Sequence, residues 1–253
     1  MDIKMIVTDL DGTLLRDDKT VSERTWETLK KCREKGIKVV YATGRGISSK
    51  KLAPSEFFDG CIRMNGASAY LSECETKVYS RLLPINLVRD ILLLADSKGV
   101  SIAAEVEGMN YSNFNVTDQW SWIHSYEIAD FNTLDIEIEK IFAIADTSET
   151  VELFKSNTPN NTHLHFSRDG FAMIMHNEAY KSKAVDALAE LWGIKSSEIA
   201  VFGDDSNDID LMKYAGYSVA MSNAIDEIKE IAIYKTDTNE NDGVAKWIEK
   251  NVL

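Results

Sequence analysis

The stretch Ile3–Thr13, IKMIVTDLDGT, decides the fold. Ile3 to Thr8 is a short apolar run rich in β-branched residues, the composition of a strand buried on both faces of a parallel sheet. Two aspartates, Asp9 and Asp11, follow at once, then Gly12 and Thr13. Open α/β sheets bind ligands at the carboxyl ends of their strands, so this spacing places two carboxylates where chemistry is done.

Working outward, Leu10 to Val21 reads as a polar loop. Ser22 is a helix cap, with the helix running to about Lys35 and ending at Gly36. Ile37 to Ala42 is a second buried strand. Asn65-Gly66, between Cys61–Met64 and Ala67–Leu71, is a hairpin signal. The alternation predicts a doubly wound parallel sheet. It breaks after residue 82: a helix over Pro84 to Lys98 gives way to short strands near Ser101–Ala104 and Ile141–Ala145. A helical piece covers Val151–Ser156, and a hairpin, His163–Ser167 with Phe171–Met175, turns at Arg168-Asp169-Gly170. Alternation resumes with a helix over Lys181–Trp192, strand Ile199–Phe202, a helix near Asn207–Tyr214, strand Tyr217–Ala220, and helices near Ala224–Ile231 and Val244–Asn251. The expectation is an α/β core from residues 1–82 and 178–253, with an α+β domain, 83–177, inserted in it.

The 253 residues, 44% of them hydrophobic, suffice for one large or two modest cores. A net charge of −13 with no basic patch argues against nucleic-acid or anionic-membrane partners. No run approaches the roughly 18 apolar residues of a membrane span. The N-terminus enters a strand directly, without signal-peptide regions, and Cys32, Cys61 and Cys74 form no metal or disulfide pattern. A cytoplasmic protein with reduced thiols is expected.

Three further motifs follow strands or open helices. Ala42-Thr43-Gly44-Arg45 offers a hydroxyl and a backbone N–H that an anion can approach closely. Lys181 opens a helix, where the dipole disfavours a cation, so a facing phosphate would explain it. Gly203-Asp204-Asp205-Ser206-Asn207-Asp208 concentrates oxygen ligands suited to a hard divalent cation such as Mg²⁺, and Asp205 also suits a helix cap. In the first motif one aspartate can attack phosphorus while the other handles a proton.

In combination these motifs resemble the haloacid dehalogenase superfamily of phosphohydrolases, and most closely its Cof-type branch with a large (class IIB-like) α+β cap. The one departure is Lys181-Ser182, where the family often has Lys-Gly. The resemblance implies a Rossmann-like core of five parallel strands, with the first beside the strand ending at Phe202. It implies that Asp9 is the nucleophile and a Mg²⁺ ligand. Asp11 would be the acid and base, its carbonyl on the metal. Thr43, Gly44, Lys181 and Asn207 would bind the phosphoryl group, with Asp204 as a metal ligand and Asp208 as a direct or water-mediated one. Such an enzyme hydrolyses small phosphorylated metabolites, and Asp11, which must be protonated in the first step, should have a raised pKa.

Two alternatives remain. A phosphosugar mutase would need a basic cluster in the inserted domain, whose arginines are Arg89 and Arg168. A receiver-like module phosphorylated on Asp9 would be shorter and lack the insertion. His124, His163, His165 and His176 read as packing or surface residues ahead of a His163–His165 metal pair, Trp120 and Trp122 as core of the insertion ahead of substrate stacking, and Asn65-Gly66 as a turn on a core loop that could border the site. Glu105, Asn110, Arg168 and Asn177 are undistinguished, and no feature assigns an oligomeric state.

Overall fold

The computed structural model describes every residue except 73, 74, 120–122, 124, 168 and 169. Cys74, Trp120, Trp122, His124 and Arg168 therefore lie outside the described residues. The chain divides into two compact units, Met1–Ser80 with Tyr180–Leu253, and Arg81–Ala179.

The first unit begins with β1 (Met5–Thr8), α1 (Glu23–Glu34), β2 (Lys38–Ala42), β3 (Gly60–Arg63), β4 (Ser68–Leu71) and β5 (Thr76–Ser80). The second unit holds β6 (Leu83–Pro84), α2 (Ile85–Ser97), β7 (Ile102–Val106), β8 (Met109–Ser112), β9 (Tyr126–Ile128), β10 (Glu137–Ile138), β11 (Lys140–Ile144), α3 (Ser148–Asn157), β12 (Thr162–Phe166) and β13 (Phe171–His176). The chain returns to the first unit with α4 (Lys181–Trp192), β14 (Ile199–Gly203), α5 (Ile209–Tyr214), β15 (Tyr217–Ala220), α6 (Asp226–Ile231), β16 (Tyr234–Lys235) and α7 (Gly243–Asn251). None of these helices is long and apolar enough to cross a membrane.

The first unit is an α/β sheet of eight strands in the order β16-β15-β14-β1-β2-β3-β4-β5. The six from β16 to β3 run parallel, and β4 and β5 continue antiparallel. The parallel part thus exceeds the implied five strands by the two-residue β16. β1 lies at its centre, paired with β2 on one side and β14 on the other. Ile6, Val7, Val39, Val40, Val201 and Phe202 are fully buried, as strands covered on both faces require. At α1 the Ser22 side chain accepts from the Thr25 amide at 3.1 Å, the cap read from sequence.

In the second unit six strands run in the order β12-β13-β11-β7-β8-β9, antiparallel except for the β8–β9 pair. Alternate residues (Ile102 and Ala104, Ile141 and Ala143, Ala172 and Ile174) pack with Val88, Ile91 and Leu92 of α2 and Phe154 of α3 into one core. The hairpin near residue 170 is present, with Phe166 opposite Ala172.

The Asn65-Gly66 signal does mark a β3–β4 hairpin, but the connection is a helical turn over Met64–Gly66. Gly66 has φ 101°, and a methyl group there would stand 2.2 Å from the Tyr180 carbonyl oxygen. This approach lets the start of α4 settle against the turn. Gly36 also has positive φ, but a methyl there meets nothing within 4 Å. Gly36→Ala is therefore expected to cost only the left-handed penalty, about 1–2 kcal/mol. Gly66→Ala adds a backbone collision and should cost about 2–4 kcal/mol. Urea denaturation of the two variants measures the difference, and equal costs would show that the Gly66–Tyr180 approach is not needed.

Candidate active site

Asp9 follows β1, and its N–H donates to the Phe202 carbonyl of β14 at 3.0 Å. Because Thr8 and Phe202 are in register, the loops after both strands emerge side by side. Lys181, first residue of α4, is 1% exposed. Its Nζ donates to Asp9 Oδ1 and to Asp208 Oδ1, each at 2.6 Å. The cation at a helix start is thus explained: two buried carboxylates hold it. Ser182, in place of the family's glycine, leaves α4 intact, and its N–H donates to Asp210 Oδ2 at 2.7 Å.

Asp208 Oδ2 accepts from the backbone N–H groups of Asp204 (3.0 Å) and Asp205 (3.3 Å), which folds the loop after β14 back on itself. Asp205 caps the turn as expected, accepting from the Ser206 amide at 2.7 Å. Asp204 accepts from the Thr13 hydroxyl at 2.8 Å. Gly12, at φ 76°, permits this contact, since a methyl there would lie 2.4 Å from Asp204 Oδ2.

Carboxylate oxygens of Asp9, Asp204 and Asp208 lie within 4.8 Å of one another, the only such group of three or more metal-ligating side chains among the described residues. All three are buried, and Lys181 is bonded to Asp9 and Asp208. Fully ionised, three carboxylates and one ammonium would leave an excess of two negative charges. Burial pushes the Asp9 carboxyl well up, and Asp208 and Asp204 add to this against the opposing Lys181. Burial, then Asp208, pushes Asp204 up to about 7. A crowd of buried oxygen ligands in electrostatic debt fits a hard divalent cation such as Mg²⁺.

Asp11 faces elsewhere. Its side chain is 38% exposed and is held by Arg45, Nε to Oδ2 at 2.5 Å and Nη2 to Oδ1 at 2.7 Å, and by Lys19 at 2.9 Å. Burial alone would raise its pKa, but Arg45 and then Lys19 outweigh it and the carboxyl is lowered. This corrects the expectation of a raised value: two cations stabilise the carboxylate.

Thr43 is buried, and its hydroxyl accepts from the Arg45 amide at 3.1 Å. Asn207 donates through Nδ2 to Asn65 Oδ1 at 3.0 Å. Sequence reading gave Arg45 and Lys19 no role and placed Asn65 no nearer than on a loop that could border the site. Arg45 stood inside a quoted motif, whereas Asn65 was absorbed by its turn signal. The His163 and His165 rings lie 6.5 Å apart in the second unit and are not part of any metal-ligating group of three among the described residues.

The sequence pattern of the haloacid dehalogenase-like hydrolases matches residues 6–248. The chain belongs to that family. It is 31% identical to a Bacillus subtilis 5-amino-6-(5-phospho-D-ribitylamino)uracil phosphatase, covering 100% of this chain and 97% of the relative. A haloacid dehalogenase-like hydrolase from Bacteroides thetaiotaomicron superposes with a TM-score of 0.86 at 27% identity, covering 98% of this chain and 99% of that one. A sugar phosphatase of the superfamily's subclass IIB superposes with a TM-score of 0.84 at 25% identity, covering 98% of each chain. The expected fold class and family are borne out: the chain is an enzyme, a Cof-type phosphatase of this superfamily.

The raised carboxyls set a pH dependence. In the metal-free fold Asp9 and Asp204 keep protons that the unfolded chain has released by about pH 4. Where the folded state binds more protons, stability falls as pH rises. Metal-free protein should therefore lose stability between about pH 4 and about pH 7, the value reached by Asp204. The lowered Asp11 acts oppositely, but below that window. Thermal melts in EDTA should show Tm falling from pH 5 to 7.5, and Mg²⁺ restoring more at pH 7.5 than at 5. A flat profile without a Mg²⁺ effect would contradict the assignment of the cluster.

Proposed function

We propose that the enzyme is a Mg²⁺-dependent phosphatase of small phosphorylated metabolites, acting in the cytoplasm through a phospho-aspartyl intermediate on Asp9. The observation that carries this reading is the buried carboxylate of Asp9 at the sheet's carboxyl edge, paired with Lys181 and grouped with Asp204 and Asp208. Asp9, Asp204, the Asp11 carbonyl and, directly or through water, Asp208 would hold Mg²⁺, which would supply charge to offset the repulsion between phosphate and carboxylate.

The residues then divide the work. Asp9 attacks phosphorus, and the P–O bond to the leaving group breaks. Asp11 gives that oxygen a proton, and in the second half it takes one from the water that attacks phospho-Asp9, freeing phosphate. Lys181 holds the nucleophile's Oδ1 and adds positive charge beside the phosphoryl oxygens. The Thr43 hydroxyl, accepting from Arg45, has its hydrogen left to donate, and the Gly44 N–H and Asn207 amide complete the anion site.

Sugar phosphates or phosphorylated cofactors are the proposed substrates; of the relatives named above, one is a phosphoribitylaminouracil phosphatase and one a sugar phosphatase. The eight assigned residues lie in the first unit, so choice among esters is ascribed to Arg81–Ala179. Replacing residues 81–179 with the matching segment of the uracil-ribityl phosphatase should transfer that enzyme's substrate ranking; an unchanged ranking would place specificity elsewhere. The mutase reading is weaker because Arg89 is committed to the carbonyls of Phe131, Asn132 and Leu134. The receiver-like reading does not accommodate a hydrolase pattern matched over residues 6–248.

Asp9→Asn should keep the fold and lower turnover by more than about a thousandfold, about 4 kcal/mol in barrier. Steady-state assay on a panel of phosphate esters with Mg²⁺, beside circular dichroism, tests this. Activity within tenfold of wild type would exclude covalent catalysis by Asp9, and full activity after exhaustive metal removal would exclude the Mg²⁺ requirement.

A further inference from the structure

Met64 and Asn65 both adopt left-handed backbone, each at φ 52°. Two successive non-glycine residues in this region are uncommon and strained, and such strain concentrates at functional sites. Asn65 is also 4% exposed, an unusual position for a turn asparagine.

Its contacts lead to residues assigned to the phosphoryl group. The Asn65 N–H donates to the Thr43 carbonyl at 3.0 Å, and the Met64 N–H to the Arg45 carbonyl at 3.1 Å, so the two amides bracket Gly44. The Asn65 side-chain oxygen accepts from Asn207 at 3.0 Å. The same amide lies against Gly44, where a methyl would stand 2.9 Å from Asn65 Oδ1. Glycine at 44 thus makes room for Asn65 as well as for an anion. Asn207 has two amide hydrogens, and committing one to Asn65 fixes the direction of the other.

We propose that Asn65 is a positioning residue of the phosphoryl site: its side-chain amide sets the rotamer of Asn207, while its backbone N–H, which a glycine would keep, holds the Thr43–Gly44–Arg45 turn, so that Asn207 and the turn aim donors at one anion. The inference rests on reading Thr43, Gly44 and Asn207 as phosphate-binding. A residue that served only the turn would behave differently, because glycine adopts left-handed backbone more readily than asparagine.

Asn65→Gly keeps the turn and removes the amide. The readouts are calorimetric binding of inorganic phosphate with Mg²⁺, and kcat/KM on the best ester of the panel. The glycine variant should bind phosphate about tenfold more weakly, the scale of a hydrogen bond to a charged group. Asn65→Gly combined with Asn207→Ala should bind no more weakly than Asn207→Ala alone, because one acts through the other. If the glycine variant fails to fold, Gly44→Ala displaces the Asn65 amide instead and should show the same non-additivity with Asn207→Ala. A methyl that merely blocked the anion would multiply with it. Wild-type phosphate binding unchanged in Asn65→Gly, or losses that multiply with Asn207→Ala, would overturn the role of Asn65 alone. Wild-type protein that binds no phosphate would overturn the parent reading and this one with it.

Discussion

The ammonium of Lys181, buried between Asp9 and Asp208, is the constraint on which the rest of the first unit depends. An unpaired buried charge costs several kcal/mol, so the fold must deliver both carboxylates to the lysine or not bury it. The three residues come from separate stretches of chain, and each arrives by a different device. Asp9 is carried by the central strand β1. Asp208 is carried by a loop that its own second oxygen closes, by accepting from the Asp204 and Asp205 amides. Lys181 is carried by the first turn of α4, which rests on the Met64–Gly66 turn because Gly66 has no side chain.

That pairing leaves the cluster unbalanced. Lys181 is bonded to Asp9 and Asp208, and Asp204 accepts from the Thr13 hydroxyl. Burial then works against ionisation, which is why both Asp9 and Asp204 are pushed up. Retaining three acids there is a stability cost that a divalent cation would offset, so under the proposed function metal binding and folding of this corner would be thermodynamically linked.

Much of this was legible in the sequence because the loops that bear chemistry follow strands that are legible. Ile3–Thr8, Ile37–Ala42 and Ile199–Phe202 are β-branched or apolar runs, and their ends announce Asp9, Thr43 and Asp204. The short edge elements were not legible: β5 is half exposed without clear alternation, and β16 has two residues. The pairing of Arg45 with Asp11 spans 34 positions and depends on how two loops bend, which no local pattern encodes. Asn65 was hidden by a true signal, since Asn-Gly does mark the turn and says nothing of where its amide points. The missing residues are those whose role is set by tertiary approach rather than by spacing.

Asp11 shows what such an approach changes. Under the proposed chemistry it must be an acid when the leaving group departs and a base when water attacks. Without substrate, Arg45 and Lys19 hold it as the carboxylate, which is the form that accepts a proton from water. The form that donates is disfavoured until those cations find another anion. A phosphate dianion bound beside the Thr43–Gly44 turn is such a competitor, because Arg45 is the next residue of that turn and its fork matches phosphate as well as carboxylate. Each lost bond to Arg45 removes a reason for Asp11 to stay ionised, while the added negative charge nearby supplies a reason to take up a proton. Under the proposed chemistry, protonation of the acid would therefore belong to the loaded site rather than to the resting one, where Asp11 faces two cations.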